Sequence, residues 1–88
     1  MKKTQNFVMR QVIDEYVIVP RGETAERITG PMTLSETAAF IYDHLEEVKT
    51  PEEMAELLGK EYNISGKEIL EDVKEVLVFL EKNEAMIW

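Results

Sequence analysis

The hydrophobic period of this 88-residue chain changes once, near residue 33, and that change restricts the fold to a sheet followed by helices. Upstream, Phe7-Val8-Met9-Arg10-Gln11-Val12-Ile13 and Tyr16-Val17-Ile18-Val19 are runs of strand formers, broken by Asp14-Glu15 and closed by Pro20-Arg21-Gly22-Glu23. A shorter run, Thr24-Ala25-Glu26-Arg27-Ile28-Thr29, ends at Gly30-Pro31 and reads as a third strand at the sheet edge. Such short connections make the three strands antiparallel neighbours, because a parallel return needs a long crossover.

Downstream the apolar residues recur every three or four positions. Leu34, Ala38, Ile41, Leu45 and Val48 form one helical stripe, widened by Thr37, Phe40 and His44, with Thr33 or Ser35 as its cap. Thr50-Pro51-Glu52-Glu53 combines a capping threonine, a proline at the first helical position and a glutamate three residues after the cap. It opens a second helix over residues 51–61, whose inner face is Met54, Leu57, Leu58 and Tyr62. Ser65-Gly66-Lys67-Glu68 repeats the capping pattern before a long third helix marked by Ile69, Val73, Val76, Leu77 and Leu80. Asn83 stops it, and Ala85-Met86-Ile87-Trp88 forms a terminal strand or an apolar tail on the core. The expected order is β-β-β-α-α-α: an α+β, winged-helix-like domain in which a three-helix cluster covers one face of a three-stranded antiparallel sheet.

Length and composition narrow the function. Eighty-eight residues hold one core, so residues 1–88 are read as a single domain. Without cysteine the chain has no disulfide, thiolate nucleophile or thiolate-held metal cluster, and packing must stabilise it. A net charge of −8 disfavours nucleic acid and anionic membranes as partners, and the third helix is itself predominantly acidic. No apolar run approaches a membrane span, and the basic start is interrupted by Arg10, Asp14 and Glu15 where a signal peptide would be apolar, so a cytoplasmic protein is expected.

No catalytic motif is present. Gly22, Gly30, Gly59 and Gly66 are dispersed at turns and helix ends rather than gathered in a phosphate-binding loop. His44 is the sole histidine and lies beside a core stripe with no partner constellation, so it reads as a packed side chain. Glu46-Glu47 and Glu52-Glu53 are adjacent on helices and point apart, serving solvation and helix starts rather than paired-carboxylate chemistry or a metal. Phe79 and Trp88 read as core pieces or dimer contacts. What remains is a binding module, whose open sheet edge can accept another chain by strand addition.

The segments Tyr16-Val17-Ile18-Val19-Pro20, Arg21-Gly22-Glu23, Met32-Thr33-Leu34-Ser35-Glu36-Thr37-Ala38-Ala39-Phe40-Ile41-Tyr42 and Glu61-Tyr62-Asn63-Ile64-Ser65, with the long helix over residues 68–80, resemble the pyrroloquinoline-quinone biosynthesis protein D family over nearly the whole chain. Ser35 stands where that family often has asparagine, Ala38 where glycine or another small residue is common, and Tyr42 where tryptophan is frequent; each keeps the role of cap, small packing residue or core aromatic. The resemblance implies a non-enzymatic peptide chaperone that holds the leader of a ribosomally made precursor and presents it to a modifying enzyme, often a radical S-adenosylmethionine enzyme. The chain itself is expected to be a monomer or weak homodimer. The resemblance implies no cofactor in it, since the cluster belongs to the enzyme. The groove it implies lies between the third strand and third helix, with Ala25, Glu26, Arg27, Ile28 and Thr29 as backbone candidates and Lys67, Leu70, Glu71, Lys74 and Val78 on the helical side. Val73 and Leu77 are core. A structural adaptor or homodimerising protein, and a winged-helix transcriptional regulator, are the competing classes.

Overall fold

The computed structural model describes residues 1–28 and 30–88. Along the chain run β1 (Lys2–Lys3), β2 (Phe7–Val12), β3 (Glu15–Pro20), α1 (Thr24–Arg27), β4 (Met32–Leu34), α2 (Glu36–Asp43), a 3-10 turn (Leu45–Glu47), α3 (Pro51–Tyr62), α4 (Gly66–Lys82) and β5 (Met86–Ile87). The sheet has the antiparallel order β2-β3-β4, as the period-2 runs require, and the helices follow it. Its inner face presents Phe7, Met9, Tyr16, Ile18, Met32 and Leu34 to the helices, of which Phe7, Ile18 and Leu34 are buried.

The third strand is not where its sequence run placed it. Residues 24–27 form a single helical turn, and the strand is Met32–Leu34. After Gly22, at φ 60°, the chain coils: the amides of Ala25, Glu26 and Ile28 donate to the carbonyls of Gly22, Glu23 and Thr24. Ala, Glu and Arg favour helix, and only Ile28 offers an apolar side chain to a sheet face. Met32 and Leu34, two apart, supply the alternation that the inner face needs.

Two of the expected helix caps form. Ser35 accepts the Ala38 amide at 3.1 Å and Thr50 accepts the Glu53 amide at 3.1 Å. Ser65 makes no side-chain cap, contrary to its capping-box look; its carbonyl takes the amides of Glu68 and Ile69 instead. Nor does one helix carry the stripe from Ala38 to Val48: α2 stops at Asp43, and Leu45 is buried from the 3-10 turn. Ala38 and Tyr42 are both buried, and Lys3 Nζ stands 5.5 Å from the Tyr42 ring centre. Burial, reinforced by Glu46, raises the Tyr42 phenol above its ordinary value.

Two devices lock the layers. The α3–α4 corner is closed by Asn63 in the left-handed region, while Gly59 runs so close beneath the turn that a Cβ there would overlap the Ile64 carbonyl oxygen. At the far end of α4, Glu84, also left-handed, offers its carbonyl to Thr4 Oγ1 at 2.6 Å and Asn6 Nδ2 at 2.9 Å. Its carboxylate takes both Arg27 guanidinium nitrogens, at 2.8 and 3.1 Å. The terminal residues form β5 and pair with β1, Lys2 facing Ile87 and Lys3 facing Met86. Ala85 and Met86 are buried, whereas Trp88 and Phe79 are exposed and belong to no core.

Gly59→Ala should destabilise the fold by about 1–3 kcal/mol despite alanine's better helix propensity, because the new methyl meets backbone that cannot yield. Gly66→Ala, whose Cβ would sit 3.6 Å from Ala55 backbone atoms, should be neutral or slightly stabilising; chemical denaturation of both variants checks the contrast. Arg27, by its hydrogen bond and its charge, holds the Glu84 carboxyl below the usual glutamate range. A lowered folded value means that the pair stabilises at neutral pH and that this contribution is lost as the pH falls through the depressed value. A double-mutant cycle of Arg27→Ala and Glu84→Gln should therefore show a small favourable coupling at neutral pH that disappears in acid.

Candidate peptide-binding edge

Antiparallel pairing alternates which residues bond across a given edge, so one contact sets the pattern for the whole sheet. The Asn6 carbonyl accepts the Arg21 amide at 2.8 Å, extending the register in which Phe7 faces Pro20 and Val12 faces Glu15. Even-numbered residues of β2 and odd-numbered residues of β3 therefore bond to each other. Tyr16 and Ile18 turn to β4, where they face Leu34 and Met32. Thr33, between these two, directs its N–H and C=O to the free edge, and its side chain is exposed on the outer face.

The residues expected to form that edge stand elsewhere. Ala25, Glu26 and Arg27 are exposed on α1, with amides of Ala25 and Glu26 already used in the turn; Ile28 is half-buried and its amide bonds Thr24. They therefore offer no strand edge, and Thr29 lies outside the described residues. Arg27 is instead committed to Glu84.

On α4, Ile69, Val73, Leu77 and Leu80 face inward, as the apolar spacing requires. Lys67, Glu71, Lys74 and Val78 are exposed on one flank with Leu70 half-buried beside them, and Lys74 Nζ lies 3.8 Å from Glu71 Oε1. Lys67 and Leu70 border a hollow of about 450 Å³ whose other wall includes Glu52, Ala55 and Glu56 of α3. The opposite flank, at the same helical spacing, carries Asp72, Val76 and Phe79; Val76 packs against the core rim and Phe79 is 41% exposed.

A second hollow, about 240 Å³, opens between the inner face of the β2–β3 hairpin and the ends of α2 and α3. His44 stacks on Phe40 with ring centres 4.0 Å apart, its Nδ1 2.8 Å from the Phe40 carbonyl oxygen, and its Nε2 3.8 Å from Glu47 Oε2. These contacts hold the ring in the packed role that its position implies. Tyr62 meets Phe40 edge-on, and burial followed by the charge of Glu36 raises its phenol. Among the described residues no three His, Asp or Glu side chains converge as a metal site, and no helix is long and apolar enough to cross a membrane.

The strand register sets this edge, and no residue pattern carries it; the one local signal for it is the alternation Met32-Thr33-Leu34 after Gly30-Pro31.

Neither the curated proteins nor the solved structures contain a match to this chain. A protein-family model does: that of Coenzyme PQQ synthesis protein D (PqqD) matches residues 15–85, a span from the start of β3 to the residue before β5. With most of its length accounted for in this way, the chain belongs to the PqqD family.

Proposed function

We propose that this protein is a non-enzymatic peptide chaperone: it binds the leader of a ribosomally synthesised precursor by strand addition to β4 and presents it to a modifying enzyme, a radical S-adenosylmethionine enzyme. The observation that carries this reading is the edge of β4, which among the described residues pairs with no other strand, in a chain of the PqqD family. Thr33 supplies an outward donor and acceptor, and the half-buried Met32 beside it lies at the core rim. A leader strand docked there becomes the fourth strand of the sheet, and backbone bonds give it affinity with little dependence on its sequence. Side-chain selectivity then comes from α4, through either the flank of Lys67, Leu70, Glu71, Lys74 and Val78 or the flank of Asp72, Val76 and Phe79.

Proline at Thr33 separates binding from folding. It deletes the outward N–H but none of the bonds to β3, and proline is tolerated at edge positions whose amide faces solvent. Thr33→Pro should keep the cooperative melt and weaken binding of a synthetic leader peptide from a candidate precursor by roughly tenfold or more. Amide shifts on α4 identify the flank that meets the peptide. Unchanged affinity in a folded variant, with leader-induced shifts elsewhere, would reject the β4 edge. Purified protein mixed with the whole precursor should leave its mass unaltered; turnover proportional to this protein after contaminant removal would reject the chaperone assignment.

A further inference from the structure

The opposite edge of the sheet is longer and less protected than β4. β2 runs six residues in unbroken register with β3, and Phe7, Met9 and Gln11 turn their backbone groups to its free side. Among the described residues, no backbone bond outside the strand ladders uses those groups. Devices that normally blunt an edge are missing: β2 has no proline, lysine or bulge, and one charged residue, Arg10. The outer face next to it is apolar. Val8, Val17 and Val19 are only half-buried and lie outside the core cluster, Val8 directly opposite Val19. At the hairpin tip Val12 is 54% exposed and Ile13 is 87% exposed, although Ile13 sits at φ 57°, a conformation disfavoured for a β-branched residue. Neither burial nor backbone preference within one copy accounts for an isoleucine there.

We propose that the occupant of this edge is a second copy of the chain, paired antiparallel through β2 about a twofold axis at Met9. In that register Phe7 bonds the partner's Gln11, Met9 bonds the partner's Met9, and all three outward residues of each strand are satisfied. On the outer face Val8 meets the partner's Arg10, whose aliphatic stem covers it, and the valines of both sheets join into one strip. Moving the axis to Arg10 sets that residue against its own counterpart, and moving it to Gln11 shortens the overlap, so charge and length select Met9. The resulting six-stranded sheet keeps both β4 edges at its outer ends.

Charge distribution agrees with self-pairing at this place. Within the first 28 residues the five bases Lys2, Lys3, Arg10, Arg21 and Arg27 outnumber the four acids Asp14, Glu15, Glu23 and Glu26 by one, so the later, helical part carries −9 against a net charge of −8 for the whole chain. Two copies meeting through β2 bring together their least charged parts while their acidic helices repel at longer range. Salt screens that repulsion, so this association strengthens as ionic strength rises, opposite to a partner held by basic groups.

Sedimentation velocity of the full chain over a wide concentration range should show the 10.2 kDa species converting to twice that mass, more readily at high salt. Met9→Pro, which removes an outward amide and no bond to β3, and Val8→Lys, which sets a lysine against the partner's Arg10, should each weaken association roughly tenfold or more with the fold retained. Thr33→Pro should leave association unchanged. A monomer at every concentration and salt, or a dimer unaffected by Met9→Pro and Val8→Lys, would overturn the proposal. Loss of leader binding in Met9→Pro without any self-association would put the peptide on β2 and overturn both this proposal and the β4 reading; loss in Thr33→Pro alone leaves both standing.

Discussion

The buried stripe of α4 is the contact on which the rest of the structure leans. Ile69, Val73, Leu77 and Leu80 follow one another down a single face, and the last three are fully enclosed. With no cysteine to staple the chain, this apolar seam holds α4 against α3, α2 and β5, and α2 in turn packs on β3 and β4. The start of α4 is fixed at the α3–α4 corner, where Gly59 lets the turn come so close that a Cβ there would overlap the Ile64 carbonyl oxygen. The same helix, through the turn at Glu84, anchors both the start of the chain and α1.

Covering only one face leaves the sheet with an open outer face and two open edges, and these edges differ. β4 is short, follows Gly30-Pro31 and exposes one residue's full backbone pair; β2 exposes three and is bordered by valines. One edge thus suits a peptide supplemented by side-chain contacts from a helix, and the other suits a long, self-complementary pairing. The division follows from antiparallel hydrogen-bond parity and strand length rather than from any conspicuous residue. Under the proposed strand addition, the groups that bind are amides and carbonyls common to every residue, which no catalytic motif would mark.

The acidity of the molecule bears on recognition as well. Its helical surface repels like-charged surfaces at long range, so an approaching enzyme or peptide is steered toward the sheet unless it is itself basic. That bias acts before any close contact forms and weakens with salt.

Local chemistry settled most elements in advance. Alternation in Phe7–Val12 and Glu15–Pro20, the Ser35 and Thr50 caps, Pro51, and the four-residue spacing of α4 are consequences of near neighbours, and each appears where its residues indicate. Residues 24–28 show the limit: strand and helical turn are close in energy for so short a mixed run, and the sheet's demand for paired apolar side chains chose Met32 and Leu34 instead. Ser65 failed as a cap because sequence spacing does not determine where a side chain points. The direction of Thr33, the pairing of Lys2–Lys3 with Met86–Ile87, the partnership of Arg27 with Glu84 and the exposure of Phe79 join or separate residues far apart in the chain. Tertiary structure alone decided these, because register and packing fix them between segments, whereas the patterns of a sequence report only the interactions within one.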